Sequence, residues 1–137
     1  MSMTRALVIS ASDYMLPLLG LLEESGFDVY SVSSCEQARQ FLGSEPEVQV
    51  VFTDEEAPGG GWGRVLKDVA QICMAAEIIV CTRFGDERLW CNVLERGAYD
   101  LLVAPYQMKD VQWVVEGALK GRRDSLRSNG LSTKQKG

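Results

Sequence analysis

The chain contains no histidine. That absence removes a histidine base, a Ser-His or Cys-His nucleophile pair and a phosphohistidine from the chemistry open to it. It also argues against a zinc site of Cys and His, because Cys35, Cys73, Cys81 and Cys91 show no paired close spacing. The four cysteines read instead as small buried hydrophobes. No apolar run approaches the roughly 18 to 20 residues that span a bilayer. The start, Met1-Ser2-Met3-Thr4-Arg5, lacks the layout of a signal peptide. The expectation is a cytoplasmic protein with no membrane partner, whose chemistry runs on carboxylates, hydroxyls or cations.

Positive charge is also scarce over most of the chain. Residues 1–119 carry 8 Lys and Arg against 18 Asp and Glu, whereas residues 120–137 carry 6 against one. An acidic body argues against nucleic-acid binding. Residues 121–137 have no apolar period and are expected to form a basic, disordered tail behind one folded domain of residues 1–120.

What is present is a regular alternation of elements. Val48-Gln49-Val50-Val51-Phe52-Thr53-Asp54 is rich in β-branched residues, the composition of a strand buried on both faces of a parallel sheet. It ends on Asp54, Glu55 and Glu56, then Pro58 and the glycines Gly59, Gly60 and Gly61, which must be a loop. Further strands are predicted at Arg5–Ile9, Phe27–Val32, Glu77–Thr82 and Tyr99–Val103. Helices are predicted at Tyr14–Ser25 with Asp13 as N-cap, at Cys35–Leu42 with Ser34 and Gln37 as a capping box and Gly43 as its stop, and at Trp62–Met74. Two more follow, Glu87–Arg96 capped by Asp86, and Met108–Lys120. Strands alternating with helices through short loops imply right-handed crossovers. The fold class is therefore α/β, a flavodoxin-like three-layer sandwich with a five-stranded parallel sheet in the order 2-1-3-4-5.

Ligand chemistry in such sheets collects at the carboxyl ends of the strands. Those ends carry Ser10-Ala11-Ser12-Asp13, Asp54, Thr82 and Ala104-Pro105-Tyr106. Three of these segments carry a family resemblance. Val51-Phe52-Thr53-Asp54 with Pro58, Ile78-Ile79-Val80-Cys81-Thr82, and Gly97-Ala98-Tyr99-Asp100-Leu101-Leu102-Val103-Ala104-Pro105-Tyr106 resemble, in order and spacing, the two-component response-regulator receiver (CheY-like) domain. The resemblance covers roughly residues 4–120.

The resemblance implies a signal-transduction module of a phosphorelay rather than an enzyme. A partner histidine kinase would supply a phosphoryl group to the acceptor Asp54, and Thr82 would be the switch hydroxyl. The family holds Mg²⁺ with an acidic pair after the first strand and binds phosphate with a lysine after the fifth. Here the pair falls on Ser10 and Ala11, the lysine position is Ala104, and Leu101 stands at the switch-aromatic position. Neither Ser10 nor Ala11 supplies a charged ligand, so Mg²⁺ is expected to bind weakly; Asp54 is the clear carboxylate there, and Asp13, Glu55 or Glu56 could bring another, although Asp13 is expected to cap its helix and Glu55 and Glu56 to face solvent. The resemblance also implies an interface, for a homodimer or an output protein, on the face of the fourth helix, fifth strand and fifth helix. It would include Arg88, Trp90, Tyr106 and Trp113.

The resulting expectation is a receiver-like domain with a degenerate site, a pseudo-receiver that acts through protein contacts with weak or absent phosphorylation at Asp54. The alternatives are a working phosphoacceptor using Asp54 with an atypical metal shell, and a flavodoxin-like domain that binds FMN or another small ligand at the same edge.

Overall fold

The computed structural model describes residues 3–45, 47–73 and 75–128, with side chains as far as residue 121. Five strands, β1 Arg5–Ile9, β2 Asp28–Val32, β3 Val50–Asp54, β4 Glu77–Thr82 and β5 Asp100–Val103, form one sheet. Every pairing is parallel and the order is β2-β1-β3-β4-β5, as the alternation predicts. The helices are α1 Leu16–Glu24, α2 Cys35–Ser44, α3 Gly61–Ile72, α4 Glu87–Glu95 and α5 Met108–Ser128.

Strand parity sorts the core into two layers, since successive side chains point to opposite faces. Leu7, Ile9, Val51, Ile78 and Val80 pack on one face with Ala38 and Leu42 of α2, Val65 and Val69 of α3 and Val93 of α4. Ala6, Val8, Val50, Phe52, Ile79, Cys81 and Leu102 pack on the other with Leu18 and Leu22 of α1 and Val111 and Val115 of α5. The three central strands β1, β3 and β4 are therefore buried at nearly every position and apolar through their middles, which is why they read as continuous runs. No helix among the described residues is long and apolar enough to cross a membrane.

Caps and turns fix the element ends. Ser34 Oγ accepts from the Gln37 amide at 3.2 Å, while Gln37 Oε1 accepts from the Ser33 amide at 2.7 Å. The box is thus closed one residue further out than its usual form. Asp86 Oδ1 accepts from the Leu89 amide at 2.7 Å and starts α4. After β3, Gly59, Gly60 and Gly61 all have positive φ, and a Cβ on Gly60 would stand 2.7 Å from the Arg64 Cβ. The glycine triplet is the turn that lets α3 begin at once.

Four expectations need correction. Asp13 does not cap its helix: it lies inside a 3₁₀ turn, Asp13–Met15, whose N-cap is Ser12, and no side chain bonds the cap. Gly43 does not stop α2, which runs on to Ser44. Cys91 is exposed on α4, while Cys35, Cys73 and Cys81 are buried. The fifth helix continues past Lys120 to Ser128, eight residues into the stretch expected to be disordered. Residues 122–128 contain neither proline nor glycine, so nothing in that segment breaks the helix. The remainder of the expected tail, 129–137, lies outside the described residues.

Candidate functional site

The site grows out of β3. Asp54 shares parity with Val50 and Phe52, so its side chain continues the face covered by α1 and α5 and meets the chain entering α1. The residue is 2% exposed, yet it is well supplied with donors. Tyr14 Oη donates to Oδ1 at 2.7 Å, the Glu56 amide donates to Oδ1 at 3.0 Å, and Ser10 Oγ donates to Oδ2 at 3.1 Å. Burial pushes the Asp54 carboxyl up. The hydroxyls of Ser12 and Tyr14, the Glu56 amide and the Ser10 hydroxyl outweigh it and hold the group below the usual carboxylate range. The acid is ionised and held by neutral donors.

Tyr14 is the central member of that cage. Burial, then the hydrogen bond to Asp54 and its charge, push the phenol well above its ordinary value, so it remains a donor. Ser10, Ser12 and Tyr14 follow β1 at alternate positions. The amide of Ser12 donates to Ser10 Oγ at 2.8 Å, which ties the hydroxyls of this loop together.

Thr82 ends β4 on the opposite parity. It is buried, but its hydroxyl donates to Glu55 Oε1 at 2.7 Å rather than to Asp54, and it accepts from the Phe84 amide at 3.2 Å. Glu55 therefore turns inward to Thr82, contrary to the expectation that it faces solvent, whereas Glu56 is exposed. The Glu55 amide also donates to the Cys81 carbonyl at 2.9 Å, which sets the start of the loop and aims the side chain at β4.

The structure brings Ser12, Tyr14, Asp54, Glu55, Glu56 and Thr82 around one recess, which Arg83 and Phe84 also line. It does not bring Asp13 there: Asp13 is exposed and does not line the recess. Ala11 is exposed as well. Ala104 is half-buried, and its amide donates to the Thr82 carbonyl at 2.9 Å; the Ala104-Pro105 peptide is cis. Leu101 is half-buried against the α2–α3–α4 layer. A Cβ on Gly85 would stand 2.5 Å from Val103 Cγ2 and 3.7 Å from Leu101 Cδ2, so the loop after β4 passes close over β5.

On the α4–β5–α5 face, Arg88 is exposed, and Trp90 and Trp113 are 46% and 77% exposed. The Trp90 indole donates to Asp100 Oδ1 at 3.3 Å, linking α4 to β5. Tyr106 departs from this group. It is half-buried, packs on the α1–α5 layer and directs its hydroxyl to Met15 Sδ at 3.4 Å.

Sequence reasoning gave no role to Tyr14 or Arg83 and placed Ser12 at this edge without a role of its own. The signals were present: hydroxyls at alternate positions behind β1, and an arginine directly after the switch hydroxyl. Arg83 is exposed, with its guanidinium carbon 5.5 Å from the Tyr14 ring centroid and 5.3 Å from that of Phe84. A Mg²⁺ ion, which the receiver fold implies, does not fit this donor set. Hard cations need several oxygen acceptors, and here the hydroxyls donate to the carboxylate that would bind the metal. Among the described residues no group of three or more Cys, Asp or Glu could hold a metal ion.

A 2-1-3-4-5 parallel sheet with a buried aspartate at the end of its central strand is the arrangement that the receiver resemblance implies. Comparison with known proteins agrees. The two-component response regulator ORR5 of rice (Oryza sativa) is 34% identical over 104 residues, which is 74% of this chain and 77% of that protein. The chemotaxis protein CheY of Bacillus subtilis is 27% identical over 106 residues, 75% of this chain and 87% of CheY. A response-regulator receiver domain from Clostridium thermocellum superimposes with a TM-score of 0.78 at 23% identity, covering 88% of this chain and 98% of that one. No family model matches the chain. By its similarity to ORR5 the chain belongs to the two-component response-regulator receiver family.

Proposed function

We propose that this receiver acts through protein contacts, with phosphorylation at Asp54 weak or absent. The observation that carries the reading is the hydroxyl cage: Asp54 already accepts from Tyr14, Glu56 and Ser10, in the place where the family puts acids and a metal. A carboxylate attacking an anionic phosphoryl group needs cations to neutralise the developing charge. Ala104 supplies none, and Glu55 and Glu56 stand next to the acceptor. Loss of one oxyanion donor alone typically costs about 10² to 10³ in rate. The partners are proteins of a two-component pathway, a histidine kinase or an output protein, or a second copy of the chain. The exposed Arg88, Trp90 and Trp113 support contact through the α4–β5–α5 face.

Arg83 favours a second reading, in which Asp54 remains a working acceptor with an atypical shell. It lines the Asp54 recess and is the cation nearest in sequence to the switch hydroxyl. Intact-mass spectrometry after incubation with acetyl phosphate, with and without Mg²⁺, separates the two. The first reading expects no phosphorylated species in either condition and unchanged partner binding by Asp54→Asn. A phosphorylated wild type with an unmodified Asp54→Asn variant overturns it, and loss of that species in Arg83→Gln assigns the cation.

A further inference from the structure

A second recess, of about 420 Å³, opens beside the one that holds Asp54. That volume falls within the range of small-molecule sites, roughly 300–1,000 Å³. Its lining is mainly apolar, with the rings of Tyr14, Phe84 and Tyr106 and the prolines Pro17 and Pro105. Two further residues give it its character. Ala104 also lines it, and the short side chain leaves room where the family's pattern would place a lysine. Arg83 supplies a cation with no ion-pair partner among the described residues; its guanidinium lies over the faces of Tyr14 and Phe84.

Phe84 is the most exposed large hydrophobic residue described, at 79%. It stands at the mouth of an apolar recess, next to Arg83, which forms no ion pair among the described residues although Asp54, Glu55 and Glu56 line the adjoining recess with it. Three aromatic side chains and one guanidinium are a recognisable donor set: flat apolar surface for a ring, and one forked cation for an acid group.

We infer that this recess binds a small planar aromatic acid, a one- or two-ring molecule with a single carboxylate or sulfonate. The ring system packs against Tyr14, Phe84 and Tyr106, and the acid group pairs with Arg83. One cation and an otherwise apolar wall match a monoanion better than a nucleotide, whose phosphates call for several donors. The site also touches the acceptor, since the Tyr14 ring that lines it carries the hydroxyl that holds Asp54 at 2.7 Å. A ligand there therefore bears on the cage whether or not Asp54 is phosphorylated, and the inference does not rest on the proposed function.

The test uses the full chain, ¹⁵N-labelled, titrated with naphthalene-2-carboxylate and separately with its uncharged amide. The carboxylate is expected to shift the amides of Tyr14, Arg83, Phe84, Ala104 and Tyr106 saturably, with a Kd of about a millimolar or tighter for a ligand of this size. It should bind about two- to fivefold more tightly than the amide, the range that an exposed ion pair reaches. Arg83→Gln should erase that preference while leaving amide binding unchanged. Ala104→Leu, which fills the recess, and Phe84→Ala, at an exposed position that the core does not need, should each weaken both ligands. Equal affinity for carboxylate and amide, shifts confined to other residues, or no saturation overturns the inference. So does unchanged affinity in both Ala104→Leu and Phe84→Ala. Shifts at the same amides that depend on protein concentration without ligand would place a second copy of the chain in the recess, and would also overturn it.

Discussion

Two carboxylates, Asp54 and Asp68, are buried in this domain and are answered in opposite ways. Asp68, on α3, meets two guanidiniums: Arg39 of α2 at 3.1 Å and Arg64, one turn earlier on α3, at 3.1 Å. Arg64 also reaches Glu36 at 3.0 Å and the Gly59 carbonyl at 3.1 Å. The α2–α3 flank is thus a network of paired charges that clamps two helices and the glycine turn. Asp54, at the end of β3, meets three hydroxyls and an amide, none of them charged. Its negative charge is solvated by the protein without being cancelled. Paired charge cancels in place and ties elements together, whereas charge held by neutral donors still acts on the groups around it. The difference marks one region as scaffold and the other as site.

The largest effect is expected on the scaffold side. Asp68→Ala removes the Arg39 ion pair between α2 and α3 and the Arg64 pair within α3, and should cost about 1–2 kcal/mol in urea unfolding, a discounted figure because both arginines are partly solvated. Because Asp68 is buried, high salt should reduce that loss only in part. An unchanged midpoint would show that the network adds nothing beyond packing.

Tyr14→Phe tests the other side. It keeps the ring and deletes the hydroxyl shared between Asp54 and the Cys81 carbonyl, so about 1 kcal/mol should be lost, with little salt dependence. Carboxyl ¹³C NMR should place the Asp54 titration higher than in the wild type. A variant as stable as the wild type, with the same titration, would mean that the cage does not depend on Tyr14.

Acid unfolding sharpens the comparison further. The folded-state Asp54 value lies below its ordinary one of 3.8, so its contribution is present above that pH and is lost as pH falls through the lower folded value. Asp54→Asn should flatten this acid limb while changing stability near neutrality by under about 1 kcal/mol, because an amide oxygen still accepts from Tyr14 and Glu56. An undiminished acid limb in the variant would assign it to other carboxylates. At the alkaline end the sign is the same as for any raised group. Burial raises Tyr14 and Tyr106, so stability is full below a phenol's ordinary value of 10.0 and declines as pH rises beyond it.

The smallest effect is expected at the end of α5. Truncation after Lys120 removes helical residues 121–128 together with 129–137, and should lower the melting midpoint by no more than about 2 °C. A drop of many degrees would mean that this end of the helix docks on the body.

The strand order and both core layers were legible in the sequence because hydrophobic period is repeated over many residues. Val50, Val51 and Phe52 fill both buried faces of β3, so the strand reads as an unbroken apolar run. Ser34 and Asp86 were legible as caps for a similar reason: each acts on an amide three residues away. Asp13 looked equally suited, but a 3₁₀ turn intervened, and a cap depends on the backbone angle at one residue. The site required tertiary structure. Tyr14 and Asp54 are 40 residues apart, Thr82 and Glu55 are 27 apart, and which hydroxyl meets which acid follows from strand parity and from where β1, β3 and β4 end. From sequence alone, the residues around Asp54 were a record of missing acids and a missing lysine. Folded, they are a set of donors that hold the charge in place, because a buried carboxylate must be hydrogen-bonded and the chain entering α1 is the nearest source of hydroxyls.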